Sequence, residues 1–459
     1  MATVELPLET FRDPAGSLRM EGDRVLRRVR PERSASALRF LRSRQAREWV
    51  EQGCLIGTEF IEEANGELTL EHPRVFFPAY PWEWTPSAWI EAAELTLDLC
   101  EALFNEGLIL KDATPLNVLF QGVRPVFVDV LSIDERDASS PVWLAYGQFV
   151  RTFLLPLLAC KHLGWPLAAS MQKRDGYEPA DLAPYLGRWQ RWREPFRSLI
   201  TLPLLLEKSG GESTQSVAKI RQKPEAAVTV LRRNLAALRR HLRQLVPGRP
   251  TSRWSAYAHS ADHYSSEDAK RKQQFVENAL RAARPRHVLD LGANSGVYSR
   301  IAARTGAEVV AWDTDIGATE ENWREAQERD LPILPLIANP ARPTPPAGWR
   351  NRESLALLDR ARRRFDCVLM LGFIHHLLLS EQIPLDEIAG LMRELTSRWA
   401  IVEWVPASDP RFIDLMRGRE NLYGCLDERA FAEAFGGYFT VLTREVLPNR
   451  RVLFLLRAR

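Results

Sequence analysis

The sequence predicts an α/β protein, with a doubly wound parallel sheet in its C-terminal half and an α+β domain before it. Residues 286–303 read as a short apolar strand, a glycine turn and a helix. A second apolar strand, residues 307–313, ends in a carboxylate about twenty residues after that turn, the spacing typical of nucleotide-binding sheets. The N-terminal part instead carries a hairpin signal at Asn65-Gly66 and a helix start at Thr85-Pro86.

Composition indicates ordinary globular domains. The chain has 459 residues, of which 45% are hydrophobic and 26% charged, so two or three domains can each bury a core. The formal net charge of +3 is small for this length, so the overall charge gives poor support for nucleic-acid binding. Only a local basic patch could support it.

The cysteines and the apolar runs bear on the compartment. Five cysteines are scattered without a C-x-x-C pair, which favours reduced thiols and argues against a zinc site, any other metal site or a disulfide framework. The N-terminus lacks a signal-peptide pattern, and the longest apolar runs, such as residues 153–160, are too short to cross a bilayer. We therefore expect a cytoplasmic protein without a membrane span.

The first eighty residues predict one compact, strand-rich lobe. Strands are expected at residues 25–29 and 75–77, and a hairpin pairs residues 57–61 with 68–70 across Asn65-Gly66. A single helix is expected from Ser36 to Gln52.

A helix predicted from Pro86 to about Gly107 leads into a polar constellation. Asp112 is followed five residues later by Asn117, and Asp129 ends the next strand. This order resembles the catalytic loop and metal-binding strand of protein-kinase-like folds. The usual His-Arg before the first acid, the glycine after the second and a glycine-rich loop are absent, and the lysine position offers only Arg27 and Arg28. Either a nucleotide or metal site remnant persists here, or the three residues brace a turn.

The middle of the chain predicts helices and a linker. Apolar helical segments fill residues 143–210, and a helix at 225–246 repeats leucines at alternating spacings of three and four. Its arginine-rich opposite face suits a solvated surface better than an RNA or membrane contact. The expected domains are a kinase-like domain at 1–210, a helical linker at 211–252 and a second domain at 253–459.

The glycine turn fits some cofactor classes better than others. A P-loop is excluded because no Gly-Lys-Ser/Thr follows, and the spacing Gly292-x-x-x-Gly296, with Asn294 between them, departs from the G-x-G-x-x-G of dinucleotide folds. Asp290, directly before the turn, would repel a pyrophosphate but suits a ligand with an amino group and a sulfonium. S-adenosylmethionine is such a ligand.

These residues resemble those of class I S-adenosylmethionine-dependent methyltransferases, which have a Rossmann-like sheet. Five further stretches are similar to a family of long bacterial methyltransferases, some of which are named after the host-specificity nodulation protein NoeA. They are Trp82-Glu-Trp with Lys111-Asp-Ala-Thr-Pro-Leu-Asn117, Gly348-Trp-Arg-Asn, Ile374-His-His-Leu and Ile401-Val-Glu-Trp-Val-Pro. The resemblance covers nearly the whole chain and is specific for the cofactor, but weak for the substrate.

The resemblance implies roles for individual cofactor-site residues. Asp290 would anchor the network around the methionine moiety, and Asp313 would accept from both ribose hydroxyls. Asn339 takes the place of the acid usual near the adenine amino group, and Leu371 ends the fourth strand beside the cofactor. Tyr264 lies where lead-in residues often cover the cofactor, with plain packing as the alternative.

The candidates for catalysis follow the fourth and fifth strands. His375 and His376 are adjacent, so only one is expected to face the pocket and take a proton from the acceptor. The alternative is a histidine that holds the loop through the backbone. Glu403 is a second base or a substrate-orienting residue.

The sequence thus predicts a methyltransferase that modifies an oxygen or nitrogen of a small molecule or saccharide. The N-terminal domain would bind or present that substrate. The alternatives are a regulatory protein that only senses a nucleotide or S-adenosylmethionine, or a methyltransferase acting on protein or RNA. The sequence leaves the oligomeric state undetermined.

Overall fold

The computed structural model describes most of the 459 residues, in two compact units. The described ranges are 9–10, 12–30, 32, 34–62, 68–208, 224–246, 266–416 and 426–459. One unit comprises residues 1–248 with 347–353, and the other comprises residues 249–346 with 354–459. The first unit therefore includes most of the segment 211–252 and the segment 347–353.

The first unit begins with a five-stranded antiparallel sheet in the order β1-β2-β3-β5-β4. The predicted hairpin is confirmed, because β4 pairs with β5 in antiparallel register. The strands are β1 (Glu9–Thr10), β2 (Gly16–Glu21), β3 (Arg24–Val29), β4 (Glu59–Glu62) and β5 (Leu68–His72).

Two predicted elements of this lobe are wrong. The helix expected from Ser36 to Gln52 is two helices, α1 (Ala35–Leu41) and α2 (Arg44–Glu51). The break occurs because Ser43 is extended and its side chain accepts a hydrogen bond from Ala46 N, which caps the second helix. Residues 75–77 form no strand, since Pro73 and Pro78 on either side cannot donate to a strand ladder.

Helices and two short antiparallel strand pairs complete the first unit. The predicted helix is confirmed as α3 (Pro86–Asn105), with Thr85 accepting from Ala88 N at its start. Two pairs of strands follow it: β6 (Leu108–Leu110) with β9 (Ile133–Glu135), and β7 (Val118–Gln121) with β8 (Arg124–Phe127). The remaining helices are α4 (Tyr146–Phe149), α5 (Leu155–Leu163), α6 (Pro179–Leu182), α7 (Leu202–Lys208) and α8 (Pro224–Leu245). The described part of this unit leaves the kinase-like fold a prediction.

Helix α8 shows how the leucine repeat is used. Leu231, Leu235, Leu238, Leu242 and Leu245 are all buried. The predicted solvated arginine face is only partly solvated, because Arg239 is ion-paired with Glu94, Asp98 and Glu101 of α3. Apolar packing and this charge cluster together hold α8 against α3.

The second unit contains the predicted doubly wound sheet. Its seven strands have the order β12-β11-β10-β13-β14-β16-β15, in which β10 to β14 are mutually parallel and β16 is antiparallel to β14. The strands are β10 (His287–Leu291), β11 (Glu308–Asp313), β12 (Ile333–Ile337), β13 (Phe365–Met370), β14 (Thr396–Trp404), β15 (Phe439–Val446) and β16 (Val452–Ala458). The predicted C-terminal hairpin, β15 with β16, is confirmed.

Helices connect the strands of this sheet. They are α9 (Ser266–Ala283), α10 (Val297–Arg304), α11 (Ile316–Glu328), α12 (Leu357–Ala361), α13 (Ile374–Leu379), α14 (Leu385–Leu395), α15 (Pro410–Met416) and α16 (Glu428–Gly436). The strand order reverses between β10 and β13, and such a switch point opens a crevice at the carboxyl ends of the strands. A site is therefore expected at that edge.

The described ranges contain no helix that is both long enough and apolar enough to cross a membrane.

Candidate functional site

The turn after β10 is fixed to the neighbouring strand β11. Gly292, Asn294 and Gly296 have φ angles of 72°, 49° and 79°, in the left-handed region that glycine and asparagine tolerate best. The amides of Gly292 and Ala293 both donate to the carbonyl of Trp312, at 2.9 and 3.0 Å. The loop therefore has a defined position over the carboxyl ends of two adjacent strands.

Both glycines are also required by close packing. A Cβ at Gly292 would lie 2.6 Å from the ring of Phe373, and one at Gly296 would lie 1.9 Å from Asn322 Oδ1. Asn322 is buried, and its Oδ1 accepts no hydrogen bond from any residue that the structure describes. The glycines thus admit Phe373 and Asn322 against the turn.

Asp313 links the end of β11 to this turn. Its Oδ2 accepts from Asn294 N at 2.7 Å and its Oδ1 from Asp315 N at 2.9 Å. Burial raises the pKa of this carboxyl, while the backbone donors oppose that rise. Each oxygen keeps a further lone pair, and the side chain is only half-buried, so it can accept from a ligand as well.

Asp290 lies directly before the turn and is 2% exposed. Burial raises its pKa to about 6, and the hydrogen bond from Ser299 Oγ, 2.6 Å long, opposes that rise. This carboxyl is therefore held inside the sheet edge by α10 and is close to half protonated near pH 6.

Asn339 and Leu371 stand at two other strand ends. Asn339 follows β12, where Ala338 N donates to the carbonyl of Asp313 at 2.9 Å. The Asn339 side chain accepts from Ala341 N at 2.9 Å and is half-buried. Leu371 directly follows β13 and is buried.

A buried network of four charged side chains lies beside the end of β13. Lys272 Nζ contacts Glu403 Oε2 at 2.7 Å, and Arg451 Nη1 is 3.5 Å from Glu403 Oε1. Arg451 also binds both carboxylate oxygens of Asp409, at 2.7 and 3.2 Å. A Cβ at Gly372 would lie 3.5 Å from Glu403 Oε2 and 3.9 Å from Lys272 Nζ, so the network borders the loop that leads from β13 into α13.

The two histidines of α13 differ in burial. His375 is 3% exposed and its Nδ1 has no hydrogen-bond partner among the described residues, whereas His376 is half-buried, with the two rings 4.3 Å apart. Burial, with the charges of Arg411 and Arg451, lowers the pKa of His376 to about 4. Burial and nearby cations hold the pKa of His375 well below its ordinary value. Both imidazoles are therefore neutral at pH 7.

Comparison with known proteins decides the family. The nodulation protein NoeA of Rhizobium meliloti (strain 1021) is 30% identical over 464 residues, covering 97% of this chain and 94% of that protein. The chain belongs to the NoeA family. No family model matches it.

Solved structures show only low similarity to this NoeA-family chain. Magnesium protoporphyrin IX methyltransferase from Synechocystis PCC 6803, with bound SAH, is 18% identical and covers 42% of this chain and 84% of its own, at a TM-score of 0.30. The N-methyltransferase NodS from Bradyrhizobium japonicum WM9 is 11% identical, with coverages of 42% and 98% and a TM-score of 0.32. WbdD is 17% identical, with coverages of 41% and 39% and a TM-score of 0.30. Scores this low carry no conclusion about activity.

The structure of this NoeA-family chain brings most of the predicted residues to one sheet edge. Six of them lie at or after the ends of β10, β11 and β12, and four lie at or after the ends of β13 and β14. The first group is Asp290, Gly292, Asn294, Gly296, Asp313 and Asn339; the second is Leu371, His375, His376 and Glu403. Tyr264 lies outside the described residues.

Sequence reasoning missed the partners of Glu403. Lys272 lies on α9 at helical spacing from Asp268 and Val276, on the buried face. A lysine within an otherwise buried stripe is a signal that could have revealed a paired internal charge. Arg451 and Asp409 carry no comparable signal, because they lie in loops and strand ends.

The polar residues of the first unit also come together. Arg27 of β3 is buried and its Nη1 lies 2.8 Å from Asp129 Oδ1. Burial, followed by the charge of Asp129, raises the pKa of Asp112, whose Oδ1 is 3.5 Å from Gln148 Nε2. Asn117 is 8% exposed, and no residue in the described part of the chain forms a hydrogen bond with its Nδ2.

Proposed function

We propose that the second unit is an S-adenosylmethionine-dependent methyltransferase. The observation that carries the proposal is the 2.7 Å hydrogen bond from Asn294 N to Asp313 Oδ2, which joins the glycine turn to the acid ending β11. Both features lie at the carboxyl edge of the sheet, beside the switch point where α/β proteins bind their ligands. The antiparallel β16 next to β14 also departs from the strand order of dinucleotide-binding sheets.

The residues of this edge fit the cofactor chemically. Asp313 would hold the two ribose hydroxyls with the lone pairs that its backbone donors leave free. Asp290 would interact with the amino group of the methionine moiety. The same carboxylate would repel a pyrophosphate. Asn339 can accept from the adenine amino group, Leu371 would border the cofactor, and Tyr264 would cover it.

The remaining residues act on the acceptor. When bound, S-adenosylmethionine supplies a methyl group that its sulfonium already activates, so the protein mainly aligns the acceptor and excludes water. His376 is the more accessible imidazole and is neutral at pH 7, so we assign it the role of proton acceptor. His375 would support its ring from the buried side.

The acceptor we propose is an oxygen or nitrogen of a small molecule or saccharide. Transfer from a sulfonium depends mainly on alignment and exclusion of water, which either atom can satisfy.

Glu403 is assigned an orienting role. Its carboxylate is fully buried and is held by Lys272, so proton transfer would break an internal ion pair. Through Lys272 and Arg451 it fixes the loop after β13, which carries the histidines. A misplacement of about 1 Å at that loop is enough to slow transfer strongly.

The test is methyl transfer with the full-length protein. Cofactor labelled in the methyl group is incubated with an extract of the producing bacterium, and released S-adenosylhomocysteine and labelled product are measured. Asp313→Ala is the control. A protein that binds the cofactor but releases no S-adenosylhomocysteine would support the regulatory alternative, and label in protein or RNA would support those acceptors instead.

A second measurement separates the two histidines. His376→Ala should lower turnover at least about tenfold while changing cofactor affinity little, because proton transfer belongs to the chemical step. A loss confined to cofactor binding would show that the histidine only supports the fold.

A second candidate function concerns the first unit. The 2.8 Å pair between Arg27 and Asp129 neutralises the acid that would bind a metal in a kinase-like site. Asn117 Nδ2 is buried and has no hydrogen-bond partner among the described residues, so it could donate to a bound group. We propose that this unit binds the substrate or a nucleotide weakly and does not transfer phosphoryl groups.

A further inference from the structure

An exposed aromatic pair stands on the surface of the first unit. Trp189 and Trp192 are 87% and 58% exposed, although tryptophan is usually well buried in soluble proteins. They are joined by a 3₁₀ turn, Gln190–Trp192, in which Trp192 N donates to the carbonyl of Trp189 at 3.3 Å. Residues three apart in a 3₁₀ turn lie on the same side. The two indoles therefore project from one side of the turn.

A leucine face continues next to this pair. Leu202, Leu205 and Leu206 of α7 are 43%, 48% and 64% exposed. Spacings of three and four place them on one face of the helix. Thr201 Oγ1 donates to the carbonyl of Arg191 at 2.6 Å, which fixes the start of α7 beside the 3₁₀ turn. The indoles and the leucines thus belong to neighbouring parts of the surface, which we call the Trp/Leu patch.

The side chains beside the tryptophans that form no ion pair with a described residue are positive. Most nearby basic side chains are already paired: Arg197 with Glu194, Lys173 with Asp181, and Arg191 with two backbone carbonyls. Arg188 and Arg193, which directly adjoin the tryptophans, are exposed and form no ion pair with any described residue. Glu207 is exposed too, but at helical spacing it lies to one side of the leucine face.

We propose that the Trp/Leu patch docks onto an anionic phospholipid bilayer. Leucine side chains can insert among acyl chains, indole rings favour the boundary between acyl chains and headgroups, and two free guanidinium groups match anionic lipids. A sugar or a single-stranded nucleic acid would use the tryptophans and arginines but leave the leucine face in water. The lipid surface is the occupant that uses all three features.

The test is cosedimentation of the full-length protein with vesicles. Vesicles of phosphatidylglycerol and phosphatidylcholine are compared with pure phosphatidylcholine, at low and high salt. We expect binding to the anionic vesicles that weakens at least tenfold in high salt. The Trp189→Ala/Trp192→Ala variant should lower this binding about tenfold or more. The Arg188→Gln/Arg193→Gln variant should lower it and remove most of its salt dependence.

Matched controls use residues outside the patch. Trp349→Ala removes a tryptophan that is 62% exposed elsewhere, and Arg233→Gln/Arg240→Gln removes the same charge from the exposed face of α8. Both should bind vesicles like the parent. The proposal is overturned if the parent binds no anionic vesicle, or if both patch variants bind as it does. It is also overturned if light scattering shows that the tryptophan variant converts a dimer to a monomer, since the patch would then cover a second copy.

Discussion

Lys272 Nζ and Glu403 Oε2 lie 2.7 Å apart, with side chains only 4% and 0% exposed. The ammonium also lies 4.7 Å from the ring centre of Tyr298, which adds a cation–π contact. A buried pair of this kind gains little over an apolar pair, but the loss of one partner leaves an uncompensated charge. The pair lies beside the loop after β13, since a Cβ at Gly372 would be 3.5 Å from Glu403 Oε2.

We predict that Lys272→Met lowers the free energy of unfolding by about 3–5 kcal/mol, because Glu403 stays buried without its closest partner. The double variant Lys272→Met/Glu403→Gln should recover part of that loss. Urea unfolding gives both values. Arg281→Met, which breaks the exposed pair with Glu277, is the control and should cost no more than about 1 kcal/mol. Equal losses of unfolding free energy in Lys272→Met and Arg281→Met would show that breaking the buried pair costs no more than breaking an exposed one.

Asp313→Ala should weaken S-adenosylmethionine binding at least about a hundredfold. Two charge-assisted hydrogen bonds, each contributing roughly 1.5–3 kcal/mol, would be lost. Isothermal calorimetry on the variant measures the change, and Asp330→Ala, on the loop after α11, serves as the control. Unchanged affinity in Asp313→Ala would remove this residue from the cofactor site.

Gly296→Ala should destabilise the second unit much more than Gly306→Ala. Both glycines have positive φ, 79° and 97°, so an alanine at either costs about 1 kcal/mol of backbone strain. Only at Gly296 would the new Cβ also collide with Asn322, since nothing lies within 4 Å at Gly306. The difference between the two variants in thermal unfolding measures the cost of the collision. Adding Asn322→Ala to Gly296→Ala should recover most of the difference, and no recovery would place the cause elsewhere.

The pH dependence of stability should contain a contribution from His376. Its folded-state pKa of about 4 lies below the unfolded value of about 6.5, so between these values the unfolded chain binds a proton that the folded one does not. Stability is therefore lost as the pH falls from about 6.5 towards 4, by up to about 1.4 kcal/mol per pH unit.

The His376→Gln variant tests this sign. Asp290 acts in the opposite direction, because its pKa is raised to about 6 and folding binds a proton there below that pH. The difference between the parent and His376→Gln cancels the Asp290 contribution. Urea unfolding at pH 7, 6 and 5 should show a smaller loss on acidification in the variant. An identical loss in both proteins would contradict the lowered pKa.

The first unit should show no ATP hydrolysis or kinase activity above background in the full-length protein. Phosphoryl transfer needs a positioned lysine and metal ions to neutralise charge. Here Arg27 already forms an ion pair with Asp129, the acid that would bind the metal. At most weak magnesium-dependent nucleotide binding is expected, and Asp129→Asn should abolish it. Robust turnover that disappears in Asp112→Asn would make the protein bifunctional.

The local features of the fold could be predicted from the sequence. The Thr85-Pro86 helix start, the hairpin at β4 and β5, and the turn from Gly292 to Gly296 depend on residues close together in the chain. Their physical causes are capping, turn geometry and backbone freedom, which act over a few residues. The break at Ser43 shows the limit, since the apolar pattern alone suggested one helix and a side-chain cap made two.

The sequence by itself determined the parallel sheet, its glycine turn and the acids at the strand ends, because strand periodicity and turn residues encode them locally. Only the tertiary structure decided which charges pair. Lys272 meets Glu403 across 131 positions, and Arg27 meets Asp129 across 102. The chain has 62 lysines and arginines and 59 acids, so the sequence offers many nearly equivalent partners. Packing selects among them, because only burial makes one pairing much more favourable than the rest.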